Sequence, residues 1–132
     1  MKTNNLDLFE CTGTIGQFQM HQFMLIDHFS GEALGAAQLI VDQEKRFLTE
    51  VRVRDLFVSG RLRRKGYGKL ILEGVIAKAT ECRAKQIAAS VHRGNKQALG
   101  FFSAMGFVEP KLKAGAVPVH TQHVTLFRKI EP

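Results

Sequence analysis

The residues richest in usable chemistry are Arg63-Arg64-Lys65-Gly66-Tyr67-Gly68. An apolar strand end, Leu56-Phe57-Val58, precedes them, and a helical pattern over 69–82 follows. A strand-to-helix turn rich in glycine and cations is an anion site by construction. Gly66 and Gly68 permit backbone angles and close approaches that a side chain blocks. The first N–H groups of a helix have no internal acceptor, and the helix dipole adds positive charge there. Arg61, Arg63, Arg64, Lys65 and Lys69 surround the turn, and no acid lies between Asp55 and Glu73. The expected ligand is a pyrophosphate.

Three phosphate or nucleic-acid motifs fail here. The Walker pattern needs Gly where Arg63 stands and Ser or Thr where Leu70 stands. The dinucleotide pattern needs Gly at Ile71. Lys65-Gly66-Tyr67-Gly68 matches the opening of an RNA-recognition strand motif, but the following residues have helical spacing. Leu72, Ile76 and Ala79 make one stripe, with Ile71, Val75 and Cys82 beside it.

What remains resembles motif A of the GNAT superfamily of acyl-CoA-dependent N-acyltransferases. That signature is Arg or Gln, two residues, Gly, one residue, then Gly or Ala, and 63–68 fits it. Further on, Asn95, Ala98, Phe101-Phe102 and Gly106-Phe107 resemble the second signature of the superfamily. The resemblance covers roughly 18–130 as an order of elements and is motif-specific over 56–107. It implies an α/β (α+β) fold with a central, mostly antiparallel mixed sheet. Its fourth and fifth strands splay apart, and it has two main helices. It also implies acetyl-CoA as acyl-donor cosubstrate, an amine acceptor and no metal. Arg63, Arg64, Lys65, Gly66, Tyr67, Gly68 and Lys69 would hold the pyrophosphate. The backbone of Phe57 and Val58 would bond the pantetheine arm, and Asn95 and Phe102 would line the thioester end.

The elements that must position these residues follow from periodicity. Leu6, Leu8 and Phe9 suit a first strand, and Thr12-Gly13-Thr14 reads as a turn. Strands are expected over 18–27, 34–41, 48–58, 86–91 and 119–130, with turns at 30–32 and 43–46. Val51 and Val53 alternate with Arg52 and Arg54, and the alternation breaks near Asp55, which predicts a bulge. Asn95 is a suitable helix N-cap, and Gly106 a stop after Ala98, Phe101, Phe102 and Met105. Residues 110–118 read as a loop. Only seventeen residues precede the second strand, with no amphipathic pattern, where the superfamily places two helices that wall the acceptor cleft. The acceptor site is therefore expected to be open, or completed by a second subunit in a homodimer.

The totals agree with this reading. A chain of 132 residues is one domain by length, spanning 1–132, with 45% apolar residues and no disordered composition. The net charge of +7 favours an anionic ligand, and five of the nineteen basic residues lie within 61–69. Two cysteines make no disulfide scaffold, and a reduced cytoplasmic setting is expected. The sequence has no run of membrane-spanning length, and its first residues have no apolar core of signal-peptide length.

Direct transfer needs a neutral amine. A lysine-type amine of pKa about 10.4 is neutral in only about one molecule in a few thousand at pH 7, so a base helps. The superfamily's frequent base falls near Arg52, which is not an acid. Glu50, on the same face, and Asp55, nearer the splay, are the candidate catalytic residues. Both also suit solvated strand acids balancing Arg52 and Arg54. His21 and His92 titrate in a useful range. The frequent general acid, a Tyr, is replaced by Phe102, although a thiol of pKa near about 8.5 leaves without obligatory protonation. Water, Ser90 or Ser103 would then protonate it. His120 and His123 point to opposite faces of a strand and are not read as a zinc pair. Two other readings stay open: a CoA-binding regulatory protein without turnover, and, less favoured, a nucleic-acid binder recognised by salt-sensitive association.

Overall fold

In the computed structural model, which describes residues 5–44, 50–60, 66–110 and 122–130, six strands form one sheet in sequence order. They are β1 (Leu6–Ile15), β2 (Phe18–Asp27), β3 (Ala33–Asp42), β4 (Glu50–Val58), β5 (Gln86–His92) and β6 (His123–Lys129). Helix α1 (Tyr67–Glu81) joins β4 to β5, and α2 (Lys96–Ala104) follows β5. The β4–β5 pair is parallel and every other neighbouring pair antiparallel. This is the mixed sheet with two main helices that the sequence led us to expect.

The expected turn at Thr12-Gly13-Thr14 is not formed. Strand β1 runs through those residues, and the chain reverses at Gly16 and Gln17, with Gly16 at φ 56°. A two-residue hairpin with positive φ at its first position fits the twist of the flanking strands. Gly13 is tolerated because β1 is an exposed edge whose Thr12 and Thr14 keep strand-favouring side chains.

Helix α1 buries Ile71, Leu72, Val75 and Ala79 against β2, β3 and β4. Phe23, Leu25, Leu39, Val51, Val53 and Ile87 meet that stripe. The helix starts at Gly66, φ 81°. It ends in a turn where Ala84 N–H donates to Ala79 O and Arg83 N–H to Thr80 O. Two glycines allow close packing beneath it. A Cβ on Gly35 would sit 2.6 Å from the Phe57 carbonyl oxygen and 2.8 Å from Ile71 Cδ1. One on Gly74 would meet Leu8 of β1 at 2.5 Å.

Helix α2 lies on the same face. A Cβ on Gly68 in the first turn of α1 would touch the Phe101 ring at 3.4 Å. Arg128, on the α1 side of β6 by its pairing with the buried Ile87, donates from Nη1 to Met105 O at the end of α2 (2.8 Å). Asn95 caps α2, its Oδ1 accepting from Ala98 N–H at 3.1 Å, and Gly106 (φ 88°) stops it, both as expected. Among the described residues no helix covers the other face of the sheet. Phe9, Met24, Ala36 and Phe57 form one cross-strand row there, and Phe57 is 60% exposed.

Candidate acyl-transfer site

Strands β4 and β5 pair over only four rungs, from Glu50–Gln86 to Val53–Ala89. Beyond Val53 the two strands diverge, which is the expected splay. Its cause sits on β4. Between Ala36 and Gln38 of β3, two steps match three steps of β4, from Phe57 to Arg54. The extra residue is at Asp55–Leu56, and Asp55 adopts φ 52°, a conformation that Asp tolerates better than most residues. The bulge turns the end of β4 away from β5 and opens a cavity of about 400 Å³.

The cavity is lined by Arg52, Arg54 and Asp55 from β4, by Ser90 and His92 from β5, and by His123 from β6. Asn95, Ala98 and Phe102 close it on the α2 side. Phe102 is 7% exposed and meets the rings of Phe101 and Phe107 edge-on at 5.4 and 5.1 Å, so it belongs to core and cavity wall together. A second, larger cleft of about 830 Å³ lies between Lys69, Glu73 and Ile76 of α1 and the end of α2. It is away from the splay, and of the two it is the smaller cavity that lies where the backbones of β4 and β5 diverge.

The backbone amides near the bulge divide by direction. Ser59 N–H donates to Leu34 O at 3.2 Å. Alternation along a strand then directs the Phe57 N–H toward β3 and the Val58 N–H toward the splay. Sequence reasoning had named both, but alternation leaves only Val58 for a ligand on that side. Gly66 occupies the N-cap of α1 in a left-handed conformation, with no side-chain cap and no acid in the first turn. The free end of this helix faces the same end of β4. Tyr67 packs against the core, and Lys69 forms an i,i+4 pair with Glu73 at 3.9 Å. Arg63, Arg64 and Lys65 lie outside the described residues, as do His120 and most of the loop expected over 110–118.

The two candidate bases part company. Asp55 lines the cavity. Glu50 is on the first rung of the β4–β5 ladder, three rungs below the splay, and its Oε1 accepts from Gln86 Nε2 at 3.2 Å. It shares a face with Arg52 but does not reach the cavity. His21 is also elsewhere, 4% exposed beneath α1, with Nε2 donating to Gln19 Oε1 and Nδ1 accepting from Thr12 Oγ1. Burial, then the Lys78 ammonium, pushes its pKa down, with Glu10 and Glu81 opposing.

Sequence reasoning missed a pair of imidazoles. His92 and His123 are partners in the β5–β6 ladder, and both line the cavity. Gly94 N–H donates to His92 Nδ1 at 2.9 Å, so the neutral ring holds its proton on Nε2. His92 was visible as a titrating residue and His123 only as half of an improbable metal pair. Their meeting depends on register, which neither local pattern encodes.

A family model, Acetyltransferase (GNAT) family, matches residues 6–107. The chain belongs to the GNAT acetyltransferase family. A GNAT family acetyltransferase from Elizabethkingia anophelis, solved with acetyl-CoA bound, superposes with a TM-score of 0.70 at 12% identity, covering 96% of this chain and 99% of that one. A GNAT family acetyltransferase from Staphylococcus aureus gives 0.67 at 21% identity, covering 85% and 69%. The PaiA N-acetyltransferase of Thermoplasma acidophilum, in complex with coenzyme A, gives 0.67 at 14%, covering 83% and 60%. These likenesses establish the GNAT fold. A comparison with curated proteins found no significant match. Among the described residues, no helix is long and apolar enough to cross a membrane.

Proposed function

We propose that this GNAT domain transfers an acetyl group from acetyl-CoA to an amine by direct attack at the splay between β4 and β5. The observation that carries the reading is the bulge at Asp55, which opens a cavity beside an uncapped helix N-terminus. The pyrophosphate fits the first N–H groups of α1 after Gly66, and the sequence just before that helix is rich in cations. The pantetheine arm fits between the strands, held by the Val58 N–H and flanked by Asn95 and Phe102. The amine enters from the helix-free face.

The lone pair of the neutral amine attacks the thioester carbonyl carbon, the carbon–sulfur bond breaks, and the thiolate leaves. One amine proton departs, so the products are an N-acetyl amide and the free thiol. Asp55 and His123 are the groups on the cavity wall able to take that proton, directly or through water. His92, with its proton on Nε2, serves as a donor toward the developing negative charge. With Phe102 at the usual Tyr position, the thiolate collects its proton from solvent or from Ser90.

The test is the melting temperature with and without acetyl-CoA, alongside amine-dependent release of free thiol. Ligand at 100 times its Kd stabilises by about 2.7 kcal/mol, a shift of several degrees for a domain of this size. The shift should be present in the native chain and absent in Gly66→Asp. A shift without thiol release from any amine points to a CoA-binding protein without turnover. No shift at millimolar acetyl-CoA overturns the reading.

A further inference from the structure

The acceptor side of the cavity is built differently from the donor side. Val51 and Val53 turn under α1, so Arg52 and Arg54 turn to the helix-free face, about 7 Å apart along β4. Both line the cavity, and among the described residues neither guanidinium has an ion-pair or hydrogen-bond partner. Arg54 pairs across the ladder with Gln38, which pairs in turn with Gln22. A polar strip therefore runs from β2 to the splay, between the Phe9–Phe57 row and the Met20–Ile40 pair. One residue beyond Arg54, on the bulge, stands Asp55.

Unpaired guanidinium groups in a concavity recognise carboxylate or phosphate, because their planar donor forks match those groups in two parallel hydrogen bonds. They also repel cations. Building on the acetyl-transfer reading above, we infer that the acceptor is an amine that carries its own carboxylate within a few bonds, seated with the carboxylate on Arg52 and Arg54 and the nitrogen toward Asp55. Two positive charges and one negative charge, placed in that order along β4, complement a zwitterion read from carboxylate to ammonium. A polyamine would place a positive charge against two unneutralised guanidinium groups. At the N-terminus of a peptide, an α-amino group of pKa about 7.7–8.0 is also neutral in about a tenth or more of molecules at pH 7, which lightens the demand on the base for a peptide acceptor. The carboxylate can belong to a free amino acid or to the first residues of an acidic peptide. The chemistry is the same, and the open face admits both.

The experiment measures thiol release from acetyl-CoA with L-aspartate, L-glutamate, their diamides, which carry no carboxylate, spermidine, and C-terminally amidated short peptides opening on Asp-Glu or on Lys-Lys. The expected result is kcat/KM at least tenfold higher for carboxylate-bearing amines than for their amides, and higher again than for spermidine. Turnover confined to the acidic peptides assigns a peptide acceptor, and turnover with the free amino acids a small one. Arg52→Gln and Arg54→Gln should each raise KM for the anionic amine at least tenfold and leave KM for acetyl-CoA within about twofold. Arg54→Glu, at an exposed position, should reverse the order and favour spermidine. Preference for spermidine in the native chain, equal use of acids and amides, or absence of turnover with every anionic amine overturns the inference. The acetyl-CoA melting shift, measured on the same samples, reports separately on the donor reading.

Discussion

The rings of His92 and His123 meet edge-to-face across the β5–β6 ladder, with centroids 5.2 Å apart and planes at 87°. The contact fixes both rings at the mouth of the splay, and the Gly94 amide fixes the tautomer of one. If His123 takes the amine proton and His92 donates to the developing charge, the two should fail differently. His123→Phe should lower kcat by about 100-fold and respond to added imidazole. His92→Phe should lower kcat similarly without rescue. Both should keep the acetyl-CoA melting shift, and steady-state kinetics with that shift as control checks the prediction.

Gly35 lets β4 approach β3 closely just beyond the bulge at Asp55. A Cβ there would lie 2.6 Å from a backbone oxygen, Phe57 O, which cannot swing aside as a side-chain tip does. Gly35→Ala must push β4 outward where it bends away from β5. We expect a loss of about 1–3 kcal/mol from overpacking and at least a tenfold weaker acetyl-CoA affinity. Urea unfolding and a ligand titration of the same protein measure both.

Two helix ends offer an internal comparison. Gly106 (φ 88°) ends α2, and Arg83 (φ 61°) ends α1 with the same paired hydrogen bonds. A side chain in this conformation costs about 1–2 kcal/mol relative to glycine, and the looser unfolded chain returns part of that. Arg83→Gly should therefore stabilise by about 0.5–1 kcal/mol, raising Tm by about 2–4 °C, whereas Arg83→Ala should not stabilise. Calorimetry on the pair distinguishes strain at residue 83 from loss of its charge.

Local signals were legible in the sequence because each is decided within one turn or strand. The stripe Ile71, Leu72, Val75, Ala79, the Asn95 cap, the Gly106 stop and the broken alternation at Asp55 all carry their cause within a few residues. Gly13 misled because a glycine between threonines looks like a turn until the edge position of β1 and the better turn at Gly16 are known. Cross-strand and cross-helix pairings were not legible. Leu8 over Gly74, Gly35 beneath Phe57 and His92 against His123 are set by register and packing. Glu50 shows the same limit. Its face was readable, but its three-rung distance from the splay was not.

His21 predicts how the fold responds to acid. The ring is 4% exposed, and both its nitrogens are satisfied when it is neutral. Protonation would remove the lone pair that takes the Thr12 hydroxyl hydrogen and place a charge under α1 near the Lys78 ammonium. Burial first, and Lys78 second, hold its pKa below the ordinary 6.5, while Glu10 and Glu81 act the other way. The unfolded chain then binds more protons than the folded one as pH falls through about 6.5, so stability rises with pH across that window. His21 contributes fully above the unfolded pKa, and its contribution declines as pH drops toward its depressed folded value. Native protein should lose urea midpoint between pH 7.5 and pH 5. His21→Gln, which keeps a neutral polar group, should show a shallower loss. An equal slope in the two proteins would assign the acid sensitivity to other groups.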